Sequence, residues 1–139
     1  MTRKLLEHRK LYYHPMLSIR ELESQLPEGA RLSPLAKRSI VGKIKAFSVG
    51  TARRNKDYKC LIGFSEHGLF ELRWDLPLGD ESRKVRLIGA NLDRTATLLL
   101  LWHVKNPMMT SEDQRILMNL ACDKAIERKA SIDIHNLRT

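Results

Sequence analysis

Residues 68–105, GLFELRWDLPLGDESRKVRLIGANLDRTATLLLLWHVK, decide the fold. They contain three runs rich in β-branched, aromatic or leucine side chains, GLFELRWDL (68–76), RKVRLIGA (83–90) and TATLLLLWHVK (95–105). The gaps between the runs carry the turn-formers Pro77, Gly79, Asp80, Asn91 and Asp93. Because a parallel crossover needs a dozen residues or more, gaps this short predict hairpins. The three runs are therefore expected to form an antiparallel β-meander.

The alternation of side chains along a strand gives this meander two different faces. We expect one face to be apolar, and it comprises Phe70, Leu72, Trp74, Leu76, Val85, Leu87, Ala96, Leu98, Leu100, Trp102 and Val104. The second face is expected to carry Glu71, Arg73, Asp75, Lys84, Arg86, His103 and Lys105. Leu99 and Leu101 also point to that side, which predicts that part of it is buried. Its cations and its histidine make the second face a candidate functional surface.

Two helices are predicted before the meander. Ser18 and Glu21 form a capping box for a short helix over 18–26. Ser33-Pro34 supplies the N-cap and the first turn of a helix over 33–49, after which Gly50 is placed to be the C-cap. Its expected apolar stripe is Leu35, Ile40, Val41, Ile44 and Phe47. This helix can lie on the apolar face of the sheet and present its lysines and arginines outward.

One more helix is predicted after the meander. Thr110 caps it, and acidic residues in its first turn complement the helix dipole. Its expected buried stripe is Ile116, Leu117, Leu120, Ala121 and Ile126. The predicted fold class is thus α+β, an antiparallel β-meander packed against two N-terminal helices and one C-terminal helix. The 139 residues suit a single domain over 1–139, with an N-terminal extension (1–15) and a tail (130–139).

The composition narrows the class of protein. The longest apolar run is seven residues and no signal-peptide core is present, so we expect a cytoplasmic protein that does not associate with a membrane. Cys60 and Cys122 lie in apolar surroundings, and buried, reduced thiols are the expectation. Nucleotide-binding glycine motifs are missing, and the histidines lack metal-ligand spacing. Neither a cofactor nor a metal is expected.

The positive charge is concentrated in the first part of the chain. Residues 1–60 hold 14 Lys and Arg against five Asp and Glu, so the whole net charge of +9 lies there. Such a surface attracts polyanions, nucleic acid most often, although it can also be a solvated face or meet an acidic protein. The candidate nucleic-acid-binding residues are Lys37, Arg38, Lys43, Lys45, Arg53, Arg54, Lys56 and Lys84.

Four segments together resemble a known family. GLFELRWD (68–75), KVRLIGA (84–90), TLLLLWHVKN (97–106) and ILMNLACDKAIER (116–128) are similar in order and spacing to motifs of the RelE/HigB-like toxins of bacterial and phage toxin–antitoxin modules. The resemblance covers about residues 60–129. It implies a RelE-like fold and a metal-independent endoribonuclease that cuts mRNA, commonly on the ribosome, and is neutralised by an antitoxin.

The resemblance also implies roles for particular residues. Arg73 and Arg86 would stabilise the phosphate, and Lys105 would stabilise it or position the 2′-oxygen. His103 and His135 are the candidates for general base or acid, because the ordinary pKa of histidine suits proton transfer near neutrality. The expected partners are RNA and an antitoxin protein.

Each of these roles has a structural alternative. Arg73 can pair with Glu71 as a surface salt bridge, His103 can be a satisfied core histidine, and Lys105 can be a solvated strand end. Asn106 stands where the family has a second lysine, which favours a different function. That second function is a catalytically inactive RelE-fold protein that binds nucleic acid or a host protein through its basic helix.

Overall fold

The computed structural model describes residues 9–132, which form a five-stranded mixed sheet and three α-helices. The strands are β1 (Lys10–Tyr13), β2 (Tyr58–Cys60), β3 (Leu69–Leu78), β4 (Glu81–Asn91) and β5 (Ala96–Val104). The helices are α1 (Ile19–Glu23), α2 (Pro34–Ser48) and α3 (Ser111–Ala130), and a short 3-10 turn spans Ser65–His67. The fold class is α+β, as predicted. No helix within residues 9–132 is long and apolar enough to cross a bilayer.

The meander forms the centre of the sheet. The strand order is β1-β5-β4-β3-β2, and the β3–β4 and β4–β5 pairs are antiparallel, which confirms the three predicted strands. Two further strands extend it. β2 pairs with β3, and β1, which lies within the predicted N-terminal extension, pairs in parallel with β5. The sheet is therefore mixed rather than purely antiparallel.

The three helices begin as the capping residues predict. The Ser18, Ser33 and Thr110 hydroxyls accept hydrogen bonds from the backbone N–H groups three residues later. At the end of α2, Val49 is the C-cap and Gly50 follows with a left-handed φ of 82°. α1 is shorter than expected and ends at Glu23.

A separate apolar core lies on each face of the sheet. On one face, α1 and α2 contribute Leu22, Ala36, Ile40 and Phe47, which pack on residues of the predicted apolar face that include Phe70, Leu72, Trp74, Leu76, Val85, Leu87 and Trp102. On the other face, Cys122 and Ala125 of α3 pack against Leu69, Ile88, Ala90, Leu98, Leu100 and Leu101. The two tryptophans are buried, as expected, with ring centroids 5.7 Å apart.

A β-bulge changes the faces of β5. Ile88 pairs with Leu101 but Gly89 pairs with Leu99, so Leu100 is an extra residue on β5. Leu98 and Leu100 consequently face α3, while Leu99 packs with α1 and α2. The predicted faces of these three leucines were wrong, because period-two alternation fails across a bulge. Beyond the bulge, Leu101 lies on the second face as predicted, and there it packs with residues of α3.

Several helix residues predicted to be buried are exposed. On α2, Leu35 and Val41 are 62% and 64% exposed, and Ala36 is buried instead. On α3, Ile116, Leu117 and Leu120 are exposed, whereas Cys122, Ala125 and Arg128 are buried. The error on α3 arises because only its second half rests deeply on the sheet. Cys60 is exposed on the edge strand β2, contrary to expectation, and Cys122 is buried as expected.

Polar side chains from α3 and from the turn after α1 complete the edge of β5 beyond the end of β1. The side-chain amide of Gln25 donates to the Trp102 carbonyl and accepts from the Val104 N–H, so it replaces a strand partner. The buried Arg128 guanidinium donates to the Leu100 carbonyl and pairs with Glu21 of α1. This edge is thereby closed to pairing with another chain.

Candidate nucleic-acid interface

The strand pairing aligns the predicted cationic residues across the meander. Arg73 lies directly opposite Arg86, and Arg86 lies directly opposite His103. In the next row Asp75 lies opposite Lys84, and the Lys105 N–H donates to the Lys84 carbonyl. Neighbouring strands are about 4.8 Å apart, so each row spans about 10 Å. Because the second half of α3 covers the other end of this face, the cationic rows lie at its open end.

The side chains of this surface line two adjoining cavities. The first lies at the edge of β3 and has a volume of about 340 Å³; its lining is Lys43, Asn55, Lys56, Asp57, Arg73, Trp74, Asp75, Lys84 and Arg86. The second reaches α3 and has a volume of about 390 Å³; its lining is Asp75, Ser82, Arg83, Lys84, Lys105, Pro107 and Gln114. Lys84 and Asp75, paired at 3.5 Å, belong to both. We call the two cavities together the cationic groove.

Arg86 forms part of the groove floor and is almost entirely buried. Only 2% of its surface is exposed, and one guanidinium nitrogen donates to the Trp74 and Val85 carbonyls. Its Nε lies 3.4 Å from the Glu71 carboxylate but has no hydrogen-bond partner within residues 9–132. Burial lowers the pKa of Arg86, against the opposing effect of Glu71. In this conformation Arg86 is a supporting cation rather than one that reaches a phosphate.

Glu71 joins the two arginines of the row. Its Oε2 lies 3.2 Å from Arg73 Nε, and 5% of the residue is exposed. The predicted pairing of Arg73 with Glu71 is therefore present, although the carboxylate is buried rather than on the surface. Arg73 remains partly exposed and also donates to the Asn55 carbonyl. It is the arginine of the row that a ligand can reach.

His103 and Lys105 share a partly buried, positively charged environment. Burial, Lys105 and Arg86 lower the pKa of His103 to about 4, so its imidazole is neutral at pH 7. Burial and the charge of Arg86 likewise lower the pKa of Lys105, while Glu71 opposes the shift. A bound phosphate would raise both pKa values, because an opposite charge favours the protonated forms.

A basic loop is fixed against the edge of β3. The Asp57 carboxylate accepts from the Arg53 N–H and pairs with Lys43, which also donates to the Arg73 carbonyl. Burial alone would raise the pKa of Asp57, but these partners lower it. Asn55 has a left-handed φ of 66° and turns the loop so that Lys56 lines the groove.

The remaining predicted site residues lie on α2, in the basic loop and in the tail. Lys37, Arg38 and Lys45 are exposed on α2, and Arg53 and Arg54 are exposed in the loop. Lys43, predicted to point outward, is instead an anchor of that loop. His135 lies outside the described residues. The sequence interpretation missed Asn55, Asp57, Arg83 and Gln114, of which only the asparagine of the 53–57 turn gave a local signal.

The donor types of the groove do not form a metal site. Within residues 9–132, His, Cys, Asp and Glu side chains form no group of three that could hold an ion. The groove offers guanidinium and ammonium donors, which are the groups that bind phosphate. Its chemistry fits a polyanion.

No protein-family model matches this sequence, and comparison with the curated proteins and with the solved structures finds no match either. The resemblance to RelE/HigB-like toxins therefore rests on the four sequence segments alone.

Proposed function

We propose that this protein is an endoribonuclease of the RelE/HigB-like toxin class that binds the backbone of mRNA in the cationic groove. The observation that carries this proposal is the alignment of Arg73, Arg86 and His103 on three strands, with Lys84 and Lys105 in the next row. The fold supports it as well, because two helices precede the meander and one follows it, as the resemblance implies. Cleavage of mRNA would place the protein in the cytoplasm.

The residues of the groove, together with His103 opposite Arg86 on the neighbouring strand, suit cleavage by the ribose 2′-hydroxyl. In that reaction the 2′-oxygen loses its proton and bonds to phosphorus, the bond from phosphorus to the 5′-oxygen breaks, and the 5′-oxygen takes a proton. Neutral His103 can accept the first proton, and the negative phosphate would raise its pKa toward neutrality. Arg73 and Lys105 stabilise the charge on the pentavalent phosphate.

The leaving oxygen needs a proton donor. Lys105, whose pKa is lowered, is the candidate within the described residues, and His135 in the tail is the other. Arg86 acts indirectly in this scheme: buried beneath the groove, it lowers the pKa of His103 and shares Glu71 with Arg73.

Primer extension on mRNA after induction tests the proposal in cells. We expect discrete new 5′ ends, and we expect purified protein, alone or with translating ribosomes, to leave 2′,3′-cyclic phosphate ends. A 2′-deoxy nucleotide at the cleavage position should abolish cleavage there. His103→Gln and Lys105→Ala should each slow cleavage by about 100-fold or more, as loss of general acid–base catalysis does. Lys10→Ala, which removes an exposed cation on β1 outside the groove, is the matched control.

A second function is favoured by the burial of Arg86. Both arginines to which the resemblance gives a role share one carboxylate, and Asn106 replaces a cation, so the groove can bind RNA without cutting it. In that case RNA stays intact while binding remains salt-dependent. Lys84→Ala should then reduce the slope of log K against log salt by about 0.7, the value for one phosphate contact with a single strand.

An acidic antitoxin segment would compete for the same cations. Protection of the RNA by such a protein, lost when the acidic residues are neutralised, would support the toxin assignment. Binding of the acidic protein in the absence of any effect on RNA would favour a groove that serves only protein recognition.

A further inference from the structure

The outer face of α3 carries an exposed apolar cluster. Ile116, Leu117 and Leu120 are 46%, 37% and 57% exposed, and their spacing places them together on one side of the helix. The opposite side of α3 carries Cys122 and Ala125, which are buried against the sheet. Three large aliphatic side chains grouped on one helix face form a contiguous apolar patch, which is typical of an interaction site.

Opposite charges flank this cluster at matching distances. Exposed Asp113 precedes Leu117 by four residues, and exposed Lys124 follows Leu120 by four residues. The intervals along 113, 117, 120 and 124 are four, three and four, which is the spacing of a coiled-coil seam. We call these four residues the α3 stripe.

We propose that the α3 stripe pairs with the α3 stripe of a second copy of this chain, with the two helices antiparallel. A two-fold axis between Leu117 and Leu120 brings each Leu117 onto the partner's Leu120. The same axis brings each Asp113 onto the partner's Lys124, so that one contact surface supplies two opposite-charge pairs. A parallel pairing would instead place like charges together.

This charge arrangement favours a second copy over an unrelated protein. When two copies of the stripe run antiparallel, each charge meets the opposite charge and each leucine meets a leucine. A two-fold symmetric contact requires this kind of self-complementary surface. None of the four residues of the α3 stripe lines the cationic groove, to which α3 contributes Gln114. Dimerisation would stabilise the first half of α3, which has few residues buried against the rest of the monomer.

The first test measures mass against protein concentration by light scattering and sedimentation velocity on the full chain. We expect the mass to rise from 16.1 kDa toward twice that value at about micromolar concentrations, since one helix pair is a small interface. Leu120→Glu should remove the rise without changing the circular dichroism spectrum. Val41→Glu alters an equally exposed aliphatic residue on α2 and should dimerise like the wild type.

The second test uses the charges and does not depend on the leucines. Asp113→Lys alone and Lys124→Asp alone each create like-charge contacts in the homodimer, and each should raise its Kd about tenfold. An equimolar mixture of the two variants should restore association, because every contact is again between opposite charges. A wild type that stays monomeric, including one that binds only a different protein, overturns the proposal. Unaltered dimers of both charge variants, or of Leu120→Glu, overturn it as well.

Discussion

Glu71 is the residue whose replacement should most clearly separate the supporting role of Arg86 from a role in ligand binding. Its carboxylate is buried and lies within 3.4 Å of the Nε atoms of both Arg73 and Arg86. Glu71→Gln keeps the shape of the side chain but removes the negative charge. Arg86, which is 2% exposed, would then lose the buried carboxylate that balances its charge.

The expected cost follows from the burial of this ion pair. Breaking a buried pair by removing one partner destabilises a protein by about 3–5 kcal/mol. Glutamine can still accept a hydrogen bond, so we expect Glu71→Gln to lower the free energy of unfolding by about 3 kcal/mol. The total free energy of unfolding of a domain is about 5–15 kcal/mol. For a chain of this size the melting temperature should fall by about 10 °C.

Urea unfolding followed by tryptophan fluorescence measures this loss, since Trp74 and Trp102 are both buried. Glu81→Gln is the matched control, because Glu81 pairs with Arg83 at the surface and should cost less than about 1 kcal/mol. A Glu71→Gln protein as stable as the control variant would refute the view that Arg86 depends on a buried carboxylate. Arg86 would then be a mobile cation that is available to a phosphate.

Three further predictions concern the β5 edge, the bulge and the histidine. Gln25→Ala should lower the free energy of unfolding by about 1 kcal/mol, measured in urea, because water can replace its hydrogen bonds to β5 only in part. Gly89→Ala should lower it by about 1–3 kcal/mol in the same assay, since a Cβ there would lie 2.8 Å from the Phe70 ring and 3.0 Å from the Leu98 carbonyl. Folding lowers the pKa of His103 from 6.5 to about 4, so the stability that its neutral form contributes is present above pH 6.5 and is lost as the pH falls toward 4. Urea midpoints across that range should fall less steeply for His103→Gln than for the wild type.

The sequence predicted the elements well because their signals are local. Three strands, three N-caps and the glycine after α2 each depend on a few neighbouring residues. The predicted faces of β5 were wrong because the bulge lies opposite Ile88 and Gly89, which belong to a different strand. Gly89 also leaves room there for the Phe70 ring. The parallel pairing of β1 also depends on residues far away along the chain, since Lys10 lies opposite Ala96.

The sequence predicted which residues of the candidate site share a face of the sheet, but not their burial or electrostatics. Alternation along β3 and β4 correctly placed Arg73, Arg86 and Glu71 on one face, yet it could not reveal which of them reach solvent. Arg86 is buried because it lies on the central strand of the meander, with Glu71 close enough to balance its charge. A central-strand cation on a partly covered face is more useful for shifting the pKa of neighbours than for touching a ligand. Under the proposed function, binding of a phosphate therefore depends on the exposed Lys84 and on the partly exposed Arg73 and Lys105.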